Sequence, residues 1–154
     1  MPVKKLKQYL DDNNVQYHSI THSQAFTSQK IAAAAHIPGK DIAKTVIVKV
    51  DDKMAMAVLP GSYRIDLNTL REITGSDKVK LASEEEFKAL FPDCETGAMP
   101  PFGNLYGLDV FVASSLEEDE NIAFNAGTHT ELIRMSYNDY FSLVNPKVLT
   151  FSYH

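Results

Sequence analysis

The chain has 154 residues, 44% of them hydrophobic and 23% charged, with a formal net charge of −5 and one cysteine, Cys94. A lone cysteine excludes an intrachain disulfide and a thiolate metal cluster, and it fits a reducing compartment. The acidic balance argues against a general nucleic-acid coat protein, a class that is usually basic, but leaves room for an enzyme that grips only the end of an RNA strand.

A domain of this length buries about 70% of the surface of its unfolded chain, so it can hold a core without metal or disulfide help. A single domain over 1–154 is expected. The opening MPVKKLKQYLDDNN has basic residues with no apolar run behind them, unlike a signal peptide. No stretch approaches the ~20 apolar residues that cross a bilayer. The expectation is a soluble, cytoplasmic protein with no membrane partner. Lysines and arginines concentrate before position 81, and 83–121 is rich in Glu and Asp, so a local basic face can exist on an acidic protein.

In chain order, Leu6 and Leu10 stand at i, i+4 and predict a short amphipathic helix over 4–10 that stops near Asn13-Asn14. Val15 to Ile20 alternates as a strand does. Thr27-Ser28 offers an N-cap for a helix over 29–36, where the alanine run 32–35 favours helix, and Pro38-Gly39 ends it. Two apolar runs, 44–50 and 54–59, flank Asp51-Asp52-Lys53, a hairpin-length turn. Val46, Val48 and Val50 share one face of the first run and Ile47 takes the other, which predicts a central strand.

Asp66 caps a helix over 67–73 that Gly75 closes, and a short strand follows over 79–81. Ser83 with Glu86 makes a capping box for a helix reaching Leu90. Three prolines and two glycines fall within 92–103, which is therefore a loop. Strands are predicted over 108–113, 122–125 and 130–135. Ser136 with Asp139 caps a last helix through Val144, and 148–151 reads as an edge strand. Strands outnumber long helices, which predicts an α+β domain: a mixed, mostly antiparallel sheet surrounded by helices.

Three segments suit a polar site. In Asn125-Ala126-Gly127-Thr128-His129-Thr130-Glu131, a glycine and small polar residues between strands let backbone N–H groups approach a ligand. His129 there can donate a hydrogen bond or act as acid and base. The plain alternative is a surface turn whose histidine caps a strand end. In Gly97-Ala98-Met99-Pro100-Pro101, the prolines fix φ and the loop can aim the N–H groups of Gly97, Ala98 and Met99 at an anionic centre, as an oxyanion hole does; the alternative is a surface connector. Lys44, with Thr45 behind it, opens an apolar strand and can hold its ammonium at a pocket mouth, or simply be solvated at a strand end. Arg64 reads as a surface residue and Asp66 as a cap.

The other histidines suggest less. His18 and His22 straddle a strand end, a poor arrangement for a metal pair, and His36 sits near a helix C-terminus. Cys94 has no basic neighbour that would lower its pKa. There is neither a P-loop nor a G-x-G-x-x-G fingerprint, so no cofactor and no metal are expected.

Taken in order, Ala43-Lys44-Thr45, Gly97 to Pro101 and Gly127-Thr128-His129 resemble the YbaK and prolyl-tRNA synthetase-associated editing family over nearly the whole chain. The resemblance implies a mixed, largely antiparallel sheet with helices around it, and deacylation of mischarged tRNAs. Its functional lysine matches Lys44, its Gly-x-x-x-Pro loop matches Gly97 to Pro101, and its Gly-x-His element matches Gly127 to His129. With no synthetase module in the sequence, it implies a trans-acting form whose partner is the tRNA acceptor end, with association to a synthetase an open option. Lys40, Lys49 and Lys53 are candidate phosphate contacts, and a small amino acid is the expected side chain. The competing readings are a non-catalytic binding module for a tRNA 3′ end or small ligand, and a pure interaction domain. Nothing in the sequence fixes the oligomeric state.

Overall fold

The computed structural model describes residues 2–22, 41–92, 94–95 and 97–153, without the side chains of residues 2 and 3. It opens on α1, Pro2–Asp12, which is longer than the predicted 4–10 and places Leu6 and Leu10 fully in the core. Burying each of those leucines contributes roughly 1.5–3 kcal/mol. Strand β1, Tyr17–Thr21, begins two residues later than the alternation suggested. The helix expected over 29–36 lies outside the described residues.

The hairpin of β2, Ala43–Val50, and β3, Lys53–Pro60, forms as its pattern predicts. Asp51 and Asp52 turn the chain with φ of 49° and 67°. Two consecutive left-handed residues make the turn whose twist matches that of the flanking strands. The Asp51 carboxylate then accepts the main-chain N–H of Asp77 at 3.0 Å and of Lys78 at 2.9 Å, tying the turn to the start of β5.

Short β4, Arg64–Ile65, leads into α2, Leu67–Thr74. The Asp66 carboxylate caps that helix by accepting the Thr69 N–H, and Gly75 closes it at φ 67°. Strand β5 is Val79–Leu81, and α3, Glu84–Phe87, carries the expected Ser83–Glu86 capping box before a 3-10 turn over Lys88–Leu90. The remaining elements are β6, Asp109–Ala113; β7, Asn121–Asn125; β8, Glu131–Ser136; α4, Tyr137–Val144; β9, Lys147–Leu149; and β10, Ser152–Tyr153.

A five-stranded sheet runs in the order β5-β2-β3-β6-β9, a three-stranded sheet in the order β1-β8-β7, and β4 pairs with β10. Pairing is antiparallel except β3–β6 and β6–β9. The fold is thus α+β with a mixed, mostly antiparallel sheet arrangement, as expected. The edge strand read over 148–151 becomes two pieces. β9 stops at Leu149, Phe151 turns into the core, and β10 crosses to β4.

Both faces of the larger sheet are covered. Val48, Ala55, Ala57, Leu59, Leu70, Phe111 and Phe151 pack on one side. On the other, Ala43, Ile47, Met56 and Val58 meet Leu6, Leu10, Phe102, Phe124 and Tyr140. Strand β3 is therefore buried from Ala55 to Pro60, an unbroken apolar run as befits a strand covered on both faces.

Candidate functional site

Four chain segments meet at the open end of the β2–β3 hairpin. Ile42 makes a parallel bridge to Ala123 of β7, and its carbonyl accepts the Gly61 N–H at 2.8 Å just after β3. The His22 N–H donates to the Thr130 carbonyl at 2.9 Å, which brings the end of β1 to the turn after β7. The start of β2, the end of β3, the end of β1 and the residues after β7 thus share one corner.

The proline loop is stitched to that corner by main-chain hydrogen bonds. The Glu95 N–H donates to the Gly127 carbonyl at 2.8 Å, and the Gly127 N–H donates to the Ala98 carbonyl at 2.9 Å. Gly97 and Gly127 hold φ of 86° and 100°, a region that costs a side-chain-bearing residue roughly 1–2 kcal/mol. At Gly97 an added Cβ would stand 3.6 Å from His129 Cε1, so the imidazole lies directly against the loop. Farther along, Pro100 and Pro101 are buried, and the buried hydroxyl of Tyr140 donates to the Pro101 carbonyl at 2.7 Å.

One expectation for this loop needs correction. The Ala98 N–H closes a turn onto the Glu95 carbonyl at 3.0 Å and is not offered to a ligand. A reversing chain satisfies its own donors first where it can. Among the described residues the N–H groups of Gly97 and Met99 take no partner.

The structure brings Gly97, Ala98, Met99, Gly127, Thr128 and His129 together. His129 is 6% exposed, and its Nε2 lies 4.0 Å from the Glu95 carboxylate, whose same oxygen is 3.4 Å from the His129 N–H. Thr128 and Thr130 exchange a hydroxyl contact of 3.3 Å that braces the turn. A cleft of about 200 Å³ opens beside the loop, lined by Thr45, Ile47, Phe87, Gly97 and Met99 among others. It is mostly apolar and open on one side.

Lys44 stands apart from Thr45, because successive side chains of a strand point to opposite faces. It shares the parity of Val46 and Val48 and pairs in register with Leu59. Burial, reinforced by the Arg64 guanidinium, lowers its ammonium pKa from the usual lysine value. No carboxylate lies within ion-pair distance of Lys44 among the described residues. Lys49 and Lys53, by contrast, are engaged by Glu86 and Asp109; Lys40 and His36 lie outside the described residues.

Glu95 and Arg64 are the two neighbours of this site that sequence reasoning missed. Glu95 sits two residues before the Gly-x-x-x-Pro loop, and that adjacency was the available signal. For Arg64 none existed, because the turn after β3 brings it toward Lys44. His18 is exposed on β1, and Cys94 lies 3.8 Å from the Tyr106 hydroxyl. Among the described residues no three His, Cys, Asp or Glu side chains gather as metal ligands, and no helix is long and apolar enough to cross a membrane.

Comparison with known proteins gives a consistent picture. The model of the aminoacyl-tRNA editing domain matches residues 22–143. A proline–tRNA ligase of Bacillus cereus (strain AH187) is 29% identical over 75 residues, 49% of this chain but 13% of the ligase. One from Macrococcus caseolyticus is 25% identical over 100 residues, 65% of this chain and 17% of that ligase. The chain therefore matches only a small part of these larger relatives.

Among solved structures, a hypothetical protein superposes with a TM-score of 0.87 at 20% identity, covering 97% of this chain and 99% of its own. A candidate trans-editing enzyme for prolyl tRNA synthetase superposes with a TM-score of 0.84 at 18% identity, over 99% of this chain and 98% of its own. At such identities these two establish the fold.

Proposed function

We propose, from the premise that this chain belongs to the aminoacyl-tRNA editing domain family, that it is a trans-acting deacylase. It hydrolyses the ester between a small, mischarged amino acid and the 3′ end of a tRNA. The observation that carries this reading is the hydrogen-bonded junction of the Gly97 loop with Gly127–His129, beside an apolar cleft of about 200 Å³. Similarity to proline–tRNA ligases and to the candidate trans-editing enzyme supports a role in editing tRNA for proline.

An aminoacyl ester is already activated, so catalysis requires a placed water and a stabilised oxyanion. Water attacks the ester carbonyl, whose oxygen gains negative charge against the N–H groups of Gly97 and Met99. The bond to the ribose oxygen then breaks, and the attacking water supplies the proton that this oxygen takes up. Free amino acid and an uncharged tRNA end leave. His129 holds the water or the substrate, and Lys44 holds a terminal phosphate or ribose oxygen as a point charge. The residues assigned to this chemistry are Lys44, Gly97, Met99 and His129, with Ala98, Pro100, Pro101, Gly127 and Thr128 shaping the loop and Thr45 the cleft.

A cleft of this size, floored by Phe87 and Met99, suits alanine or serine better than an aromatic side chain. The test is a panel of tRNAs charged with Ala, Ser, Cys and Phe, scored by loss of the ester. Hydrolysis should be fastest for a small residue. Intact esters across the panel would overturn the deacylase reading, and fastest hydrolysis of the Phe ester would overturn the small cleft.

A further inference from the structure

We infer that the Glu95 carboxylate recognises the α-ammonium group of the aminoacyl ester, so that the site accepts esters with a free amino group and rejects N-acylated ones. This rests on the reading above in taking an aminoacyl ester as the ligand, and it adds a specificity determinant to it.

Several carboxylates of the molecule are already engaged. Glu131 is held by Lys7 at 2.8 Å and by the Ser19 hydroxyl at 2.6 Å. Asp41 lies 3.7 Å from the Arg134 guanidinium, and Glu86 is paired with Lys49. Glu95 has no lysine or arginine partner among the described residues. One of its oxygens, Oε2, faces the His129 N–H at 3.4 Å and the imidazole Nε2 at 4.0 Å. Both distances exceed a strong hydrogen bond, so the carboxylate is held in place without being saturated. Its side chain is 46% exposed, and Oε1 accepts no hydrogen bond among the described residues. The main chain of Glu95 is meanwhile fixed through Gly127 and Ala98, so the anion is presented on a rigid support.

Chemistry supplies the complement. In every aminoacyl ester the amino nitrogen stands about 2.5 Å from the carbonyl carbon. A carbonyl oxygen seated on the Gly97 N–H therefore brings the ammonium into the neighbourhood of Glu95, two residues upstream. A cation there gains a charge-assisted hydrogen bond. An N-acylated ester has no charge to offer, and its amide would leave the carboxylate facing a neutral group.

The test uses binding, so that it stands apart from turnover. The non-hydrolysable amide 3′-deoxy-3′-(L-alanylamino)adenosine and its N-acetyl derivative are titrated into wild type and Glu95→Gln. Wild type should bind the free amine about 10- to 100-fold more tightly, the range of a hydrogen bond to a charged group. In Glu95→Gln the preference should collapse to within about threefold while affinity for the N-acetyl form holds. The wild-type preference should also fade as pH rises through about 7.7–8.0, where an α-amino group loses its proton; a merely structural glutamate would not produce that profile. Equal affinity for the two analogues in wild type, or an undiminished preference in Glu95→Gln, overturns the inference. Selective binding with esters intact across the whole tRNA panel would remove the deacylase reading and leave this one standing; hydrolysis without selectivity would do the reverse.

Discussion

The two ends of the β2–β3 hairpin are built from the same strands and treat charge in opposite ways. At the closed end Asp51 takes two main-chain N–H groups, Lys49 is paired with Glu86, and Lys53 lies 3.4 Å from Asp109. At the open end Lys44 sits half-buried with Arg64 as its charged neighbour, and the two cations disfavour each other. The fold gains nothing from the second arrangement, since a half-buried ammonium beside an exposed like charge costs free energy that an apolar side chain would not. A matched charge marks a place that serves the fold. An unmatched one does not, and under the proposed function it is Lys44 that meets the anionic end of the tRNA.

The largest test of that contrast is Lys44→Ala. Deacylation should fall by about 100-fold, on the order of one charged hydrogen bond, while stability changes by less than ~1 kcal/mol. The log–log salt slope of tRNA binding should drop by ~0.7, one lost phosphate contact on a single strand. Lys49→Ala and Lys53→Ala should leave that slope where it was, since their ammonium groups are already engaged. A slope that responds equally to all three would dissolve the distinction between the ends.

At the closed end the expected damage is to stability. Asp51→Ala removes the acceptor of two N–H groups and places alanine at φ 49°; it should destabilise by about 1–2 kcal/mol in urea unfolding. Deacylation of the folded fraction should match wild type. Loss of activity in protein that remains folded would show the two ends to be coupled.

The smallest effect is in acid. The Lys49 ammonium, aided by the Ser83 N–H, lowers the Glu86 carboxyl from 4.5 to about 2. A depressed carboxyl pKa stabilises the fold above the unfolded value, and that contribution is lost as pH falls from about 4.5 toward 2. Glu86→Gln should flatten this part of the stability–pH curve. An unchanged acid limb would mean the pair contributes nothing measurable, as many exposed pairs do.

How far the sequence announced all this depends on the range over which each signal acts. The hairpin, the Asp66 and Ser83 caps and the Gly75 stop are local, decided within a few residues by alternation or by a side chain reaching its own backbone, and each was legible. β4 and β10 have two residues apiece, too few to show any period, and they pair across 87 positions (Ile65 to Ser152). The parallel pairing of β3 with β6 leaves little mark on either strand, since beyond Lys53 and Asp109 at their starts both are apolar. Lys44, the Gly97 loop and His129 stood out as candidates because glycine, proline and a charge contrast with apolar neighbours. Glu95 looks like any surface glutamate until Gly127 folds over it. Ala98 was misjudged because a turn claimed its N–H.

The bond from the Tyr140 hydroxyl to the Pro101 carbonyl joins the loop to the centre of the molecule. Tyr140 also packs edge-on against Phe102, with ring centres 5.3 Å apart, and Phe102 directly follows Pro101. The loop therefore has no hinge of its own on its C-terminal side. Regions that open independently are those with few buried contacts, and this segment lacks that freedom. Under the proposed function, anchoring this side of the loop to the aromatic core means that part of the cost of arranging its donors is met during folding and need not be met again with each substrate.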